Sequence, residues 1–132
     1  MRVDSVFMRP ATPFVAAFVG MKNIFAATFN GRLAQVGKLS FQVRGRYSGR
    51  FRIAIRPEHI KLFTTRPEEG LPNLMEGIIS YIRNQGIYSD VGVNVTGLQF
   101  QAILTTSDLH TMKLIPGQRV FMCVYPENIH AV

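Results

Sequence analysis

At 132 residues the chain suits one ordinary domain or two very small ones. Its 47% hydrophobic and 17% charged residues describe a globular chain, not a disordered tail. The single cysteine, Cys123, excludes an internal disulfide and a Cys-rich zinc site, so a reducing compartment is the simplest assumption.

The first segment, residues 1–23, has no secretory h-region. Its longest apolar stretch, residues 14–21, is far short of the ~20 residues that a membrane span needs. Residues 13–21 are small and apolar, with Gly20 as a stop, and read as a short helix. The opening Phe7-Met8-Arg9-Pro10 has no N-terminal logic of its own, so a domain cut from a longer chain is expected.

Period-two alternation then marks half-buried strands. Leu39, Phe41 and Val43 alternate with Ser40, Gln42 and Arg44, and Phe51, Ile53 and Ile55 with Arg52, Ala54 and Arg56. Val91, Val93 and Val95 form another such run, and Leu98, Phe100 and Ala102 a fourth, with Thr96-Gly97 between them as a hairpin signal. Residues 107–113 read as a second helix, capped by Thr106 or Ser107 and carrying Asp108 in its first turn. Pro116-Gly117 forces a turn before a last strand over 119–124.

Residues 64–72 are polar, hold two prolines and sit where the charge balance flips. Residues 1–66 carry 12 Lys/Arg against 2 Asp/Glu, residues 67–132 carry 3 against 6, and the net charge is +7. An internal repeat supports a division there: Ile55-Arg56-Pro57-Glu58-His59-Ile60 aligns with Val124-Tyr125-Pro126-Glu127-Asn128-Ile129. The expected architecture is all-β with one or two short helices, as tandem OB-like small β-barrels of about five strands each. The domains expected are a connector over 1–23, a first half over 24–66 and a second over 67–132.

The sequence holds no phosphate loop, G-x-G-x-x-G or G-x-S-x-G. His59, His110 and His130 lie far apart without metal-ligand spacing. Cys123 reads as a small strand hydrophobe, and Glu58 and Glu127 as turn residues. No catalytic residue and no metal site is expected, and the chain does not read as an enzyme.

Arg44, Arg46, Arg50, Arg52 and Arg56 share parity and, in register, share a face that could track a phosphate backbone. Phe41, Tyr47 and Phe51 have the opposite parity, which turns them into the core and weakens a base-stacking platform. A basic half also suits other anions, an acidic partner surface, the other half of the chain or a second copy.

The order of motifs resembles the C-terminal regulatory region of the ATP-binding subunits of ABC importers, built from transport-associated OB (TOBE) segments. Val6-Phe7-Met8-Arg9-Pro10, Phe14-Val15-Ala16-Ala17-Phe18-Val19-Gly20 and Asn23 are similar to the family's passage out of its nucleotide-binding domain. Ile55-Arg56-Pro57-Glu58-His59-Ile60 is similar to its strand end. Residues 74–132 resemble a molybdopterin-binding-protein-like (Mop) unit through Glu76-Gly77-Ile78-Ile79, Thr105-Thr106-Ser107-Asp108-Leu109 and Leu114-Ile115-Pro116-Gly117-Gln118-Arg119-Val120.

The resemblance implies a parent subunit that binds ATP and Mg in a preceding domain, with no cofactor in this stretch. It implies a cytoplasmic place beneath a membrane permease, pairing as a homodimer, and a role in regulation. The solute class implied is a small oxyanion such as molybdate, tungstate or sulfate, either transported or sensed directly. The residues that match its ligand motif are Thr105, Thr106, Ser107 and Asn73, with Lys22 near the corresponding point of the first half. Gly70-Leu71-Pro72 and Tyr125-Pro126-Glu127 replace the segments that carry the binding type's cationic anchors, and a plain N-cap is the simpler account of Thr105 to Ser107. An OB-type nucleic-acid module is the reading outside the family.

Overall fold

The computed structural model describes residues 23–132. The helix expected over 13–21 and the connector up to Lys22 lie outside the described residues. The strands run in chain order as β1 (Asn23–Val36), β2 (Leu39–Ile55), β3 (Lys61–Phe63), β4 (Met75–Asn84), β5 (Tyr88–Val95), β6 (Leu98–Thr105), β7 (Arg119–Cys123) and β8 (Ile129–Ala131). One helix, α1 (Thr106–Met112), follows β6 directly, and short 3-10 helices cover Pro57–His59 and Pro126–Asn128.

The chain forms two compact units. Of the described residues, unit 1 takes 23–56 together with 125–132, and unit 2 takes 57–124. Residues 64–72 therefore lie inside unit 2. The Pro-Glu repeat explains the division. After Ile55 the chain passes Pro57–His59 and its next strand, β3, pairs antiparallel with β7 of unit 2. After Val124 it passes Pro126–Asn128 and β8 pairs with β2 of unit 1. The register is the same in both: Ile53 faces Ala131 as Met122 faces Leu62. Proline cannot donate to a ladder, so the strand ends and the chain turns out of its sheet in each case.

Unit 1 is a three-stranded sheet ordered β1-β2-β8, fewer strands than the alternation suggests, because β1 and β2 are long and bend. The two expected strands at Leu39 to Val43 and Phe51 to Ile55 are parts of one strand, β2. The pairing shifts between Gly31↔Tyr47 and Leu33↔Gln42. At this bulge β1 changes face: Ala27 and Phe29 are buried before it, Ala34 and Val36 after it, with Arg32 and Leu33 both exposed. The core holds Phe41 and Ile53, each fully buried, and Phe29, whose ring meets those of Tyr47 and Phe51 edge-on at 5.3 and 5.9 Å. The aromatic rings thus pack inward, as their parity predicts.

Unit 2 is a five-stranded sheet ordered β3-β7-β4-β5-β6. Its β5–β6 hairpin closes on Thr96-Gly97, whose φ values of 49° and 92° are both positive, as a tight primed turn requires. Gly77 is needed where β4 crosses close to β5: a Cβ there would meet the Asn94 carbonyl and the Val93 and Val95 side chains at 2.8 Å. Val91, Val93, Val95, Phe100, Val120 and Met122 fill the core.

Cys123 is fully buried, and its thiol donates to the Pro72 carbonyl at 3.2 Å. Burial pushes its pKa up, with Lys61 opposing weakly. The unfolded thiol ionises near 8.5 and the folded thiol later, so the fold loses stability as pH rises past the ordinary thiol value. Denaturation midpoints between pH 7 and 9.5 are expected to fall, and Cys123→Ala to flatten that fall. An unchanged slope in the variant would contradict this.

Candidate functional site

The helix start is built from three neighbouring hydroxyl residues, each with a different task. Thr105 ends β6 in extended backbone and is the N-cap: its Oγ1 accepts from the Asp108 N–H at 3.0 Å. The cap thus falls at neither of the two expected residues, Thr106 and Ser107, but just before them. Thr106 is occupied elsewhere. Its N–H donates to the Ile87 carbonyl at 2.7 Å, its hydroxyl donates to the Gly86 carbonyl at 2.6 Å, and the Ser89 hydroxyl lies 2.9 Å from it. These bonds tie the β4–β5 turn to the helix start. Ser107 is exposed in the first turn.

Asn73 stands in left-handed backbone, φ 51°, just before β4. Its amide donates to the Val124 carbonyl at 2.9 Å. In unit 1, Asn23 donates in the same way to the Ile55 carbonyl at 3.1 Å. Ile55 and Val124 are equivalent positions of the Pro-Glu repeat, so the two asparagines clamp the same strand end, one in each unit. Each bond is worth about 1 kcal/mol net, and the bared carbonyl costs about 1–3 kcal/mol. Asn73→Ala and Asn23→Ala are each expected to lower stability by that order, read by urea denaturation. A loss confined to ligand binding, with stability intact, would contradict the clamp.

Thr105 lines a groove of about 410 Å³ between the unpaired edges of β3 and β6, with Ile60, Lys61, Leu62, Phe63 and Met112. Lys61 brings a cation, but Glu58 and Asp108 line the same groove. The site is therefore apolar with mixed charge rather than a dedicated anion cradle. Asn73 belongs with the β7 side of the sheet and Thr105 with β6, and β4 and β5 lie between those strands. Lys22 lies outside the described residues. Neither Lys61 nor Glu58 carries a sequence signal that ties it to Thr105; only the curl of the sheet does.

Among the described residues no group of three or more His, Cys, Asp or Glu side chains could hold a metal ion. Among them, too, no helix is long and apolar enough to cross a membrane.

Comparison with known proteins gives the fold a family. A molybdate/tungstate import ATP-binding protein, WtpC of Pyrococcus horikoshii, is 29% identical over 97% of this chain and 37% of its own length. An uncharacterised ABC transporter ATP-binding protein of Escherichia coli, YdcT, is 35% identical over 92% of this chain and 32% of its own. The chain thus spans about a third of the length of these curated relatives. Among solved structures, the cytoplasmic molybdate-binding protein ModG, with molybdate bound, matches with a TM-score of 0.77. It is 13% identical and covers 85% of this chain and 96% of its own, a likeness of fold. The TOBE domain profile matches residues 53–132. That match takes in more than half of the chain, which therefore belongs to the TOBE domain family.

Proposed function

We propose that this chain is the non-catalytic control and pairing region of the ATP-binding subunit of an ABC importer for a small oxyanion. The observation that carries the reading is the TOBE match, in a chain whose relatives include molybdate/tungstate import ATP-binding proteins. ATP and Mg would be bound by a preceding domain, and the subunit would work in the cytoplasm against a membrane permease. The region acts by favouring one state of a paired ATPase over another, which requires a differential interaction with the two states.

The test uses the subunit expressed from its natural gene, with and without residues 23–132. Basal ATP hydrolysis should persist without them, while its response to oxyanion should be lost. An unchanged response sinks the control role. Sedimentation of the 132-residue chain tests pairing: a dimer is expected, and a monomer at every concentration reached sinks that part.

Direct sensing of the oxyanion is the second reading, favoured by the fold shared with a molybdate-bound protein and by the helix start at Thr105. The Thr105 and Thr106 hydroxyls already serve the fold, which leaves the exposed Ser107 as the hydroxyl to test. Calorimetry with molybdate, tungstate and sulfate decides it. Saturable heat that is lost in Ser107→Ala supports sensing, and flat traces with all three remove it.

A further inference from the structure

The strongest unbalanced charge among the described residues lies in unit 1, and Thr105, Thr106, Ser107 and Asn73 belong to unit 2. The described residues of unit 1, 23–56 and 125–132, hold seven Lys/Arg and one carboxylate, Glu127. Arg44, Arg46, Arg50 and Arg52 are all exposed and occupy alternate positions of β2. Alternate strand residues stand about 6.7 Å apart on one face. Arg32 is exposed on β1 at the bulge. The ion pairs Arg83–Asp90 and Arg119–Glu76 both lie in unit 2, and neither takes in any of these five guanidiniums. A row of unpaired like charges repels itself, so it costs stability until an anion covers it.

The row borders a depression of about 440 Å³ at the bend, lined by Arg32, Leu33, Gln42, Val43, Arg44 and Pro126. Leu33 is 49% exposed there. Two guanidiniums, an amide and an apolar floor make a mixed surface of the kind that protein partners use, with arginine as its anchor. Guanidinium forks also suit planar carboxylates, which they bind in bidentate fashion.

We infer that this face of β1 and β2 docks an extended acidic segment of another protein, with carboxylates at alternate positions. Two rivals fit less well. A second copy offers its exposed carboxylates in scattered places, Glu68 with Glu69 on one loop and Asp108 and Glu127 far from them in sequence, rather than at alternate positions of one strand, and at +7 it is repelled at long range. A single-stranded nucleic acid needs stacking platforms, and Phe41, Tyr47 and Phe51 are turned onto the core. The inference is independent of oxyanion binding, because it uses none of Thr105, Thr106, Ser107 or Asn73.

The test is fluorescence anisotropy of the full chain with a labelled alternating peptide, Glu-Thr-Glu-Thr-Glu-Thr-Glu. Three comparisons run beside it: a peptide of the same composition with its glutamates in one block, oligothymidylate of equal charge, and inorganic phosphate as competitor. Saturable binding of the alternating peptide is expected, tighter than that of the block peptide or the oligonucleotide. Arg44→Glu with Arg46→Glu should weaken it at least about tenfold, equal to about 1.4 kcal/mol. Arg66→Glu, a charge reversal in unit 2, should weaken it far less. Circular dichroism of each variant separates lost binding from lost fold, and Arg50→Gln with Arg52→Gln gives a milder second pair. No saturable binding, equal loss with Arg66→Glu, or an oligonucleotide that binds as tightly overturns the inference. So does full displacement by phosphate at concentrations where the peptide carries no more charge.

Discussion

Removing residues 129–132 is expected to unfold unit 1 and to leave unit 2 folded. Those four residues supply β8, which pairs Ile129, His130 and Ala131 with Ile55, Ala54 and Ile53. Val132 then exchanges two backbone hydrogen bonds with Arg52, at 3.1 and 2.9 Å. Ile129 and Val132 are buried, at 6% and 7% exposure, and Val132 packs with Ala54 and Ile24. Burying two such side chains is worth about 3–6 kcal/mol, and each lost ladder bond adds about 0.5–1.5 kcal/mol. The total rivals the ~5–15 kcal/mol that a whole domain has. Amide hydrogen exchange resolves the outcome by unit. Rapid exchange in β1 and β2 with protection kept in β5 and β6 is expected; protection kept in β1 would refute it.

Phe41→Ala and Phe100→Ala are expected to cost about 3–5 kcal/mol each, the range for truncating a buried aromatic. The two positions are structural equivalents. Val36↔Leu39 closes one hairpin and Val95↔Leu98 the other, and each phenylalanine lies two residues beyond its closing leucine. Each faces a small or branched partner, Ala34 for Phe41 and Val93 for Phe100, and each is fully buried. Urea denaturation checks both. A loss below about 1 kcal/mol for Phe41→Ala, with a full loss for Phe100→Ala, would mean that unit 1 does not depend on its hairpin core as unit 2 does.

This second likeness also shows how the units differ. From Phe41 to Ile55 the chain of unit 1 is one strand, β2. Between the corresponding Phe100 and Val124, unit 2 turns from β6 into α1 before β7 returns. Likewise β1 bends once at Gly31, where unit 2 runs out and back as the β4–β5 hairpin. The two additions of unit 2 are joined through Thr106 and the carbonyls of Gly86 and Ile87. That is why Thr106 is not the cap: its hydroxyl and N–H hold the added hairpin to the added helix. Where unit 2 carries these additions, unit 1 carries its arginine row.

Much of this was legible in the residues. Alternation placed the strands around Phe41, Ile53, Val93 and Phe100, because a half-buried strand shows its faces with period two. Thr96-Gly97 placed a hairpin, because glycine between two alternating runs supplies the positive φ that a tight turn needs. The Pro-Glu repeat marked two equivalent strand ends. The parity of Phe41, Tyr47 and Phe51 turned them inward, and the arginines outward. The site was less legible. Thr105 to Ser107 were visible as a helix start, but which hydroxyl caps and which ties was not, since Gly86 and Ile87 are distant in sequence. Asn73 looked like a ligand residue; its bond to the Val124 carbonyl spans 51 positions.

The sequence by itself determined the local elements, the two repeats and the lopsided charge, because periodicity, turn chemistry and charge act between near neighbours. Only the tertiary structure decided that β3 completes unit 2 and β8 completes unit 1, and that β1 changes face at Arg32 and Leu33 while the arginines of β2 keep theirs. Strand partnership is chosen by burial and ladder bonds between segments far apart in the chain, and a three-residue strand carries too little pattern to name its partner in advance.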